Sequence, residues 1–324
     1  MKILFITPNP LGDTVLSTGL LSYLSRSYPE ARFTIATGPL GMDLLSGVPG
    51  LEELISLKKR KHQGHWISLW RSVIGQKWDI VVDLKNSPVS RLIRARKRYV
   101  KSAGSFDPTQ HVVIQNAQIL ELGDNPPPPV LWFTDDQKKK AKEMIPDMAG
   151  PVLGVGPTAN FIGKMWPSEY FAELLKRVTE KRAPFEGYKI AIFGAPNERE
   201  QVKSLFGKLG RGRVIDLVGQ TSTGEGAACL KRCRFFIGND SGLMHCAAAV
   251  GVPTLGLFGP SRHENYAPWG AHCDYIRTPE TRDELIGYEG FEANTVVDSM
   301  MRNLTVDMVE TKITEMISDK KLAL

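Results

Sequence analysis

The stretch from Arg234 to Pro260, RFFIGNDSGLMHCAAAVGVPTLGLFGP, leaves a chain little freedom in what it can fold into. Phe235, Phe236 and Ile237 form an apolar run of buried-strand type. Gly238-Asn239-Asp240-Ser241-Gly242 is dense in turn formers. Leu243 to Val250 is small and apolar, suited to a helix packed closely on a sheet. Gly251 stands where a helix-ending glycine belongs, and Pro253 blocks continuation. Thr254 to Phe258 reads as the next strand. Such a strand–loop–helix–strand unit aims the unpaired N–H groups of a helix start at the carboxyl edge of a parallel sheet, a ready place for an anion.

The polar residues of this stretch point to a ligand. Ser241 and Gly242 offer a hydroxyl and closely approaching amides to a phosphate. His245, one helical turn on, can face the same ligand. Asp240 would repel a phosphate and suits sugar hydroxyls better. A plainer alternative makes Asp240 or Ser241 a helix N-cap and His245 a packing residue.

The strand–helix alternation runs through the whole chain. Lys2 to Thr7 reads as a strand, Pro8 to Asp13 as a loop, and Thr14 to Tyr28 repeats its apolar residues at helical spacing. Arg32 to Thr37, Leu54 to Leu57, Asp79 to Leu84 and Tyr99 to Ala103 read as strands, and His111 to Leu122 as a helix. Pro126 to Pro129 favour an extended polyproline segment, ahead of a charged helix from Asp135 to Met144. The domain boundary is expected within Pro146 to Gly150, giving domains of residues 1–150 and 151–324. In the second half, Val152 to Gly156, Lys189 to Phe193 and Val214 to Val218 read as strands. Ser168 to Thr179 and Thr305 to Ile317 read as helices. Repeated units in both halves argue for two doubly wound α/β domains. The opening lacks a G-x-G-x-x-G fingerprint, which weighs against a dinucleotide-dependent oxidoreductase.

Asp13 is the most informative carboxylate of the first half. It falls at a strand-to-helix loop, on the edge where doubly wound sheets bind ligands. A carboxylate there can take a proton from an attacking hydroxyl, and a helix start would keep it ionised. The alternative is an ordinary N-cap.

Charge is unevenly placed. Residues 1–150 hold 20 Lys and Arg against 14 Asp and Glu, whereas residues 151–324 hold 21 of each. Between Lys58 and Lys101, 13 basic residues face only Asp79 and Asp83. Lys58-Lys59-Arg60-Lys61-His62, then His65, Trp66 and Trp70, form a basic and aromatic patch suited to headgroups or an acidic glycan, or to a solvated surface. No apolar run approaches the ~18–20 residues that span a membrane. The apolar run before Pro8 is too short for a signal peptide. Cys229, Cys233, Cys246 and Cys273 lack the partners of a metal site and read as buried free thiols. A cytoplasmic address is expected.

Asp240-Ser-Gly-Leu-Met-His-Cys-Ala-Ala-Ala-Val-Gly-Val-Pro-Thr254 resembles the signature of the heptosyltransferase-type glycosyltransferases, family 9. Gly12-Asp13 and Lys164-Met165-Trp166-Pro167 resemble the family's other two anchors, in the same order along the chain. The resemblance covers most of the chain and is strongest from Val152 to Pro260. It implies a GT-B fold, two Rossmann-like domains facing across a cleft, the first binding acceptor and the second binding nucleotide sugar. The last helix, about residues 305–318, would cross back to the first domain. It implies inverting, metal-independent transfer of a heptose from ADP-heptose to a lipopolysaccharide core, an anionic glycolipid met at the inner membrane surface. Asp13 would be the catalytic base, and Lys164 would meet the donor diphosphate together with Ser241, Gly242 and His245. Thr158 could bond phosphate, and Glu198, with Glu200 as its rival, would take a ribose diol. Arg91, Arg94 and Lys61 are the candidates for the acceptor. No cofactor, metal or nucleic-acid partner is expected, and no Asp-x-Asp occurs.

Two departures stand out. The loop after Pro260 reads Ser261-Arg262-His263-Glu264, where relatives often carry Thr or Ser followed by Asp and Pro. Tyr275 to Asn294 matches nothing in the family pattern. The rival readings are a transferase for another nucleotide sugar and another surface glycan, a nucleotide-sugar epimerase or hydrolase on the same fold, and a non-catalytic nucleic-acid- or membrane-binding protein.

Overall fold

The computed structural model describes residues 1–59, 61–123, 125–210, 212–319 and 322, so Arg60 of the basic patch lies outside the described residues. Contacts divide the chain into two units, Met1–Asp135 and Asp136–Leu324.

In the first unit the order is β1 (Lys2–Ile6), α1 (Leu11–Ser27), β2 (Arg32–Thr37), α2 (Pro39–Leu44), β3 (Leu51–Ser56), α3 (Gly64–Val73), β4 (Lys77–Asp83), α4 (Val89–Leu92), β5 (Arg94–Val100) and α5 (Val112–Ile119). Its sheet has the order β3-β2-β1-β4-β5, all parallel. The period of two along β1 explains its burial. Ile3 and Phe5 join Leu20, Leu21 and Leu24 of α1 on one face, while Leu4 and Ile6 join Leu69 and Val73 of α3 and Val89 of α4 on the other. The proline segment after α5 runs against α1. Val130 N donates to Thr18 Oγ1 at 3.0 Å, and a Cβ on Gly19 would meet the Pro127 carbonyl at 2.1 Å. Only glycine allows that approach.

The second unit continues with α6 (Asp135–Met144), β6 (Val152–Gly156), α7 (Ser168–Thr179), β7 (Lys189–Ile192), α8 (Arg199–Leu209), β8 (Val214–Asp216), α9 (Thr223–Leu230), β9 (Phe235–Asn239), α10 (Gly242–Ala249), β10 (Thr254–Phe258), α11 (His263–Tyr266), β11 (Cys273–Arg277), α12 (Arg282–Ile286) and α13 (Val306–Asp319). Its sheet order is β11-β10-β9-β6-β7-β8, again parallel. Both sheets thus have the doubly wound order of Rossmann-like domains. The chain order reverses beside β1 in the first and beside β6 in the second, and ligands bind at such switch points.

The contact division falls at Asp135 and Asp136, ahead of the break expected within 146–150. Residues beyond α6 explain it: Arg232 Nε donates to the Ile145 carbonyl at 2.6 Å, and the Arg232 guanidinium pairs with Asp147. The final helix, α13, lays Val309, Ile313 and Met316 into the core of the second unit and packs against α7.

Candidate active site

At the carboxyl edge of the second sheet, the organising stretch forms as its turn chemistry dictates. β9 ends at Asn239, α10 begins at Gly242, and Gly251 takes a φ of 82° just past the helix. Asn239 is fully buried and ties three segments together. Its Nδ2 donates to the Pro157 carbonyl beyond β6 at 2.8 Å, and its Oδ1 accepts from Trp166 N at 3.0 Å. Trp166 is itself buried, packed edge-on against Phe171, with Nε1 donating to the Leu304 carbonyl at 2.7 Å. The tryptophan of Lys-Met-Trp-Pro is therefore an anchor, and what it anchors is Lys164. Lys164 Nζ lies 2.8 Å from Asp240 Oδ2, and the other carboxylate oxygen is 3.9 Å from His245 Nε2.

Ser241 stands at the N-cap position of α10, but its hydroxyl makes no capping bond. Its Oγ is buried without a hydrogen-bond partner, as is Ser261 Oγ in the loop after β10. Two buried hydroxyls without partners, in the loops that follow adjacent strands, are costly to leave unsatisfied and are well placed for a polar ligand. On the far side of β6, Thr158 Oγ1 donates to Glu198 Oε2 at 2.8 Å, and the same oxygen accepts from Ala195 N at 2.7 Å. Glu198 thus faces the sheet edge, while its rival Glu200 lies exposed on α8, paired with Lys203. The Thr158 hydroxyl proton, expected to meet phosphate, is engaged by Glu198 instead.

The loop that departs from the family pattern packs as an aromatic wall. The His263 ring lies 4.7 Å from that of Tyr275, and burial holds its pKa below the ordinary histidine value against the pull of Glu264. Burial likewise pushes the thiols of Cys229 and Cys246 up to about 12, so both stay protonated and inert.

At the carboxyl edge of the first sheet, Asp13 lies in the first turn of α1. The helix is capped at Pro10, so Asp13 is not its N-cap. Two lysines that the sequence reading passed over lie on the same edge. Lys101 directly follows β5. Burial lowers its pKa, while the charge of Asp13 pulls it back up. Lys85 directly follows Leu84 beyond β4. Its Nζ donates to Asn9 Oδ1 at 2.9 Å and lies over the Trp66 ring. Burial lowers its pKa too, opposed by Asp83 and assisted by Lys59. Asp83 is fully buried and shapes the turn, accepting from Lys85 N, Ser87 N and Ser87 Oγ.

The acceptor candidates scatter. Arg91 is exposed on α4 and donates to Asn86 Oδ1 at 2.6 Å. Lys61 is exposed in the loop entering α3. Arg94 opens β5 in register with Lys77, at the amino edge of the sheet. That is about 20 Å along the strand from the carboxyl edge at ~3.3 Å per residue. Among the described residues, no group of three or more His, Cys, Asp or Glu is placed to hold a metal ion.

Comparison with known proteins gives the family and the fold. The sequence profile of glycosyltransferase family 9 (heptosyltransferase) matches residues 66–285. The chain is 24% identical to lipopolysaccharide heptosyltransferase 2 of Escherichia coli K12, over 97% of each protein. Among solved structures, E. coli ADP-heptose lps heptosyltransferase II superposes with a TM-score of 0.75 at 22% identity, covering 99% of this chain and 100% of that one. A glycosyl transferase family 9 protein from Veillonella parvula superposes with a TM-score of 0.78 at 21% identity, covering 98% and 97%.

Proposed function

This chain belongs to glycosyltransferase family 9, and from that premise we propose that it moves a heptose from ADP-heptose to a lipopolysaccharide core acceptor, inverting the anomeric carbon and using no metal ion. The observation that carries the reading is the buried, unpartnered hydroxyl of Ser241 at the start of α10, next in sequence to the Asp240 that holds Lys164. A helix start, a free hydroxyl and a fixed ammonium make a cradle for a diphosphate.

In the proposed reaction the acceptor hydroxyl attacks the anomeric carbon. Its proton passes to the Asp13 carboxylate as the new C–O bond forms, and Asp13 later returns that proton to water. The bond from the anomeric carbon to the phosphate oxygen breaks, and its electron pair leaves with ADP. Lys164, the amides at Ser241 and Gly242, and His245 offset the growing negative charge. Asp240 orients Lys164, a role that differs from the sugar contact expected of it. Glu198 is turned toward the edge where a ribose would lie. Lys85 and Lys101 supply positive charge at the edge that holds Asp13, where an anionic acceptor would be received. Asn239 and Trp166 position the cradle without touching substrate.

The acceptor reading places the protein at the cytoplasmic face of the inner membrane as a peripheral visitor. No helix among the described residues is long and apolar enough to cross a membrane. A thermal-shift panel in EDTA with ADP, UDP, GDP, CMP and NAD tests the donor first. A ligand at ~100 times its Kd should add about 2.7 kcal/mol of stability. A selective ADP shift, followed by heptose transfer from ADP-heptose to a heptose-deficient core in EDTA, is the expected result. A selective UDP or GDP shift would replace the sugar, and loss of transfer in EDTA alone would overturn the metal-free mechanism.

A further inference from the structure

α3 and α4 cover the same face of the first sheet, since Leu69 and Val73 of the one and Val89 of the other bury in a common cluster. Their outward surfaces are not ordinary. Along α3 and its C-cap, Ile67, Arg71 and Ile74 fall at i, i+4 and i+7, one exposed stripe. Ile67 is 54% exposed and Ile74 39%, while Leu92 at the end of α4 is 65% exposed. A lone exposed aliphatic needs no explanation. Three on one sheet face, interleaved with arginine, do.

The charge around them has one sign. The loop entering α3 adds exposed Lys58, Lys59 and Lys61, and α4 adds Arg91. Residues 54–78 and 84–106 contain no Asp or Glu at all. A protein partner would ordinarily face interspersed charges, and a nucleic acid gains nothing from isoleucine and leucine. A layer that is anionic outside and apolar just beneath matches both features together.

We infer that the α3–α4 face docks on a bilayer surface bearing anionic headgroups. Ile67, Ile74 and Leu92 enter the boundary between headgroups and acyl chains, and the basic residues pair with phosphate groups around them. The inference rests on the reading that the acceptor is carried by a lipid, and it names the surface that brings the enzyme to it.

The test is co-sedimentation with vesicles of phosphatidylethanolamine and phosphatidylglycerol containing no glycolipid, against vesicles of phosphatidylcholine alone. The wild-type protein is expected to bind the former, to ignore the latter, and to be released by salt. Ile67→Asp with Leu92→Asp should weaken vesicle binding tenfold or more, since both apolar insertions are lost and two negative charges face the anionic surface. Arg71→Gln or Lys58→Gln should weaken it by about fivefold each. Both apolar positions are largely exposed, so the variants should keep the wild-type Tm and transfer to a water-soluble core oligosaccharide at the wild-type rate.

Absence of wild-type binding to anionic vesicles, or unchanged binding by the double variant, overturns the proposal. So does a variant whose oligomeric mass falls while its vesicle binding holds, which would assign the face to a second copy of the chain. Vesicle binding does not depend on catalysis. Failure of the wild type to transfer heptose would therefore strike the proposed reaction and leave this measurement standing.

Discussion

At the carboxyl edge of the second sheet, the charged and amide groups already hold one another. Lys164 is on Asp240, Thr158 is on Glu198, and Asn239 joins the loops that carry them. Among the described residues, Ser241 and Ser261 keep buried hydroxyls without a hydrogen-bond partner there. The corresponding edge of the first sheet is arranged otherwise. Asp13 and Lys101 feel each other's charge, but Lys101 and Lys85 are both held below lysine's ordinary pKa by burial. The groups of the second edge are held in place by one another, and preorganisation of that kind suits the proposed role of meeting a leaving group whose charge grows during the reaction. The first edge keeps charge in partly desolvated surroundings, where an incoming anion or hydroxyl gains most from meeting it.

The comparison predicts separable failures. The largest belongs to Asp13. Asp13→Asn keeps the shape of the first edge and removes the proposed base, so transfer should fall by about 10²–10⁴-fold. The thermal shift with ADP should not change. Wild-type turnover in this variant would remove Asp13 as the base and with it the division of labour between the edges.

Lys164→Ala breaks the other edge. Transfer should fall by about a hundredfold, on the scale of a lost oxyanion-type contact. Binding should weaken for ADP far more than for adenosine, as titration calorimetry would read. Equal weakening of both would mean that Lys164 does not meet the diphosphate. Because Lys164 and Asp240 are paired, Asp240→Asn is expected to disturb the placement of Lys164 and reproduce part of the loss.

A third prediction concerns pH. A lysine with a lowered folded pKa is one whose charged form the fold disfavours. That cost is present below the folded pKa and is relieved as pH rises from there toward the ordinary value of about 10.4. Lys101→Met should therefore raise the Tm at neutral pH, and the gain should shrink as the buffer is made alkaline. The same variant should raise the acceptor KM by roughly tenfold, the scale of one charge-assisted hydrogen bond, without altering ADP binding. A lower Tm at neutral pH, or an unchanged acceptor KM, would show that Lys101 serves the fold and not the acceptor.

These lysines also mark where sequence reading stops. Strands that bury both faces announce themselves as apolar runs, so Val152–Gly156 and Thr254–Phe258 are legible to the residue. The edge strands β5 and β11 are not. β5 reads RARKRYV and stays mostly exposed, so its charge hides it and the strand reads as if it began at Tyr99. Arg94, a candidate through the family resemblance alone, starts that strand at the opposite edge. β11, CDYIR, is half-buried and went unread for the same reason. The anchors Gly12-Asp13, Lys164 to Pro167 and Asp240 to His245 are local in sequence and stand out. The Lys164–Asp240 pair spans 76 positions, and the burial of Lys85 and Lys101 depends on which strands neighbour one another. Neither is written in a local pattern.

The smallest expected effects are the sharpest test of the cradle. Ordinarily, removing an N-cap serine costs about 0.5–2 kcal/mol of stability. Ser241 makes no capping bond, and its hydroxyl is buried unpaired, so Ser241→Ala should leave the Tm of the free protein unchanged or slightly higher. Ser261→Ala should behave alike. Each should weaken ADP or donor binding by about three- to tenfold, one net hydrogen bond of ~0.5–1.5 kcal/mol. If both hydroxyls meet one ligand, the double variant should lose less or more than the sum of the two, because neighbouring contacts to a shared partner are not additive. A falling Tm with unchanged ADP binding would mean that these hydroxyls find partners within the protein in solution, and the second edge would then have no unpaired hydroxyl to offer a donor.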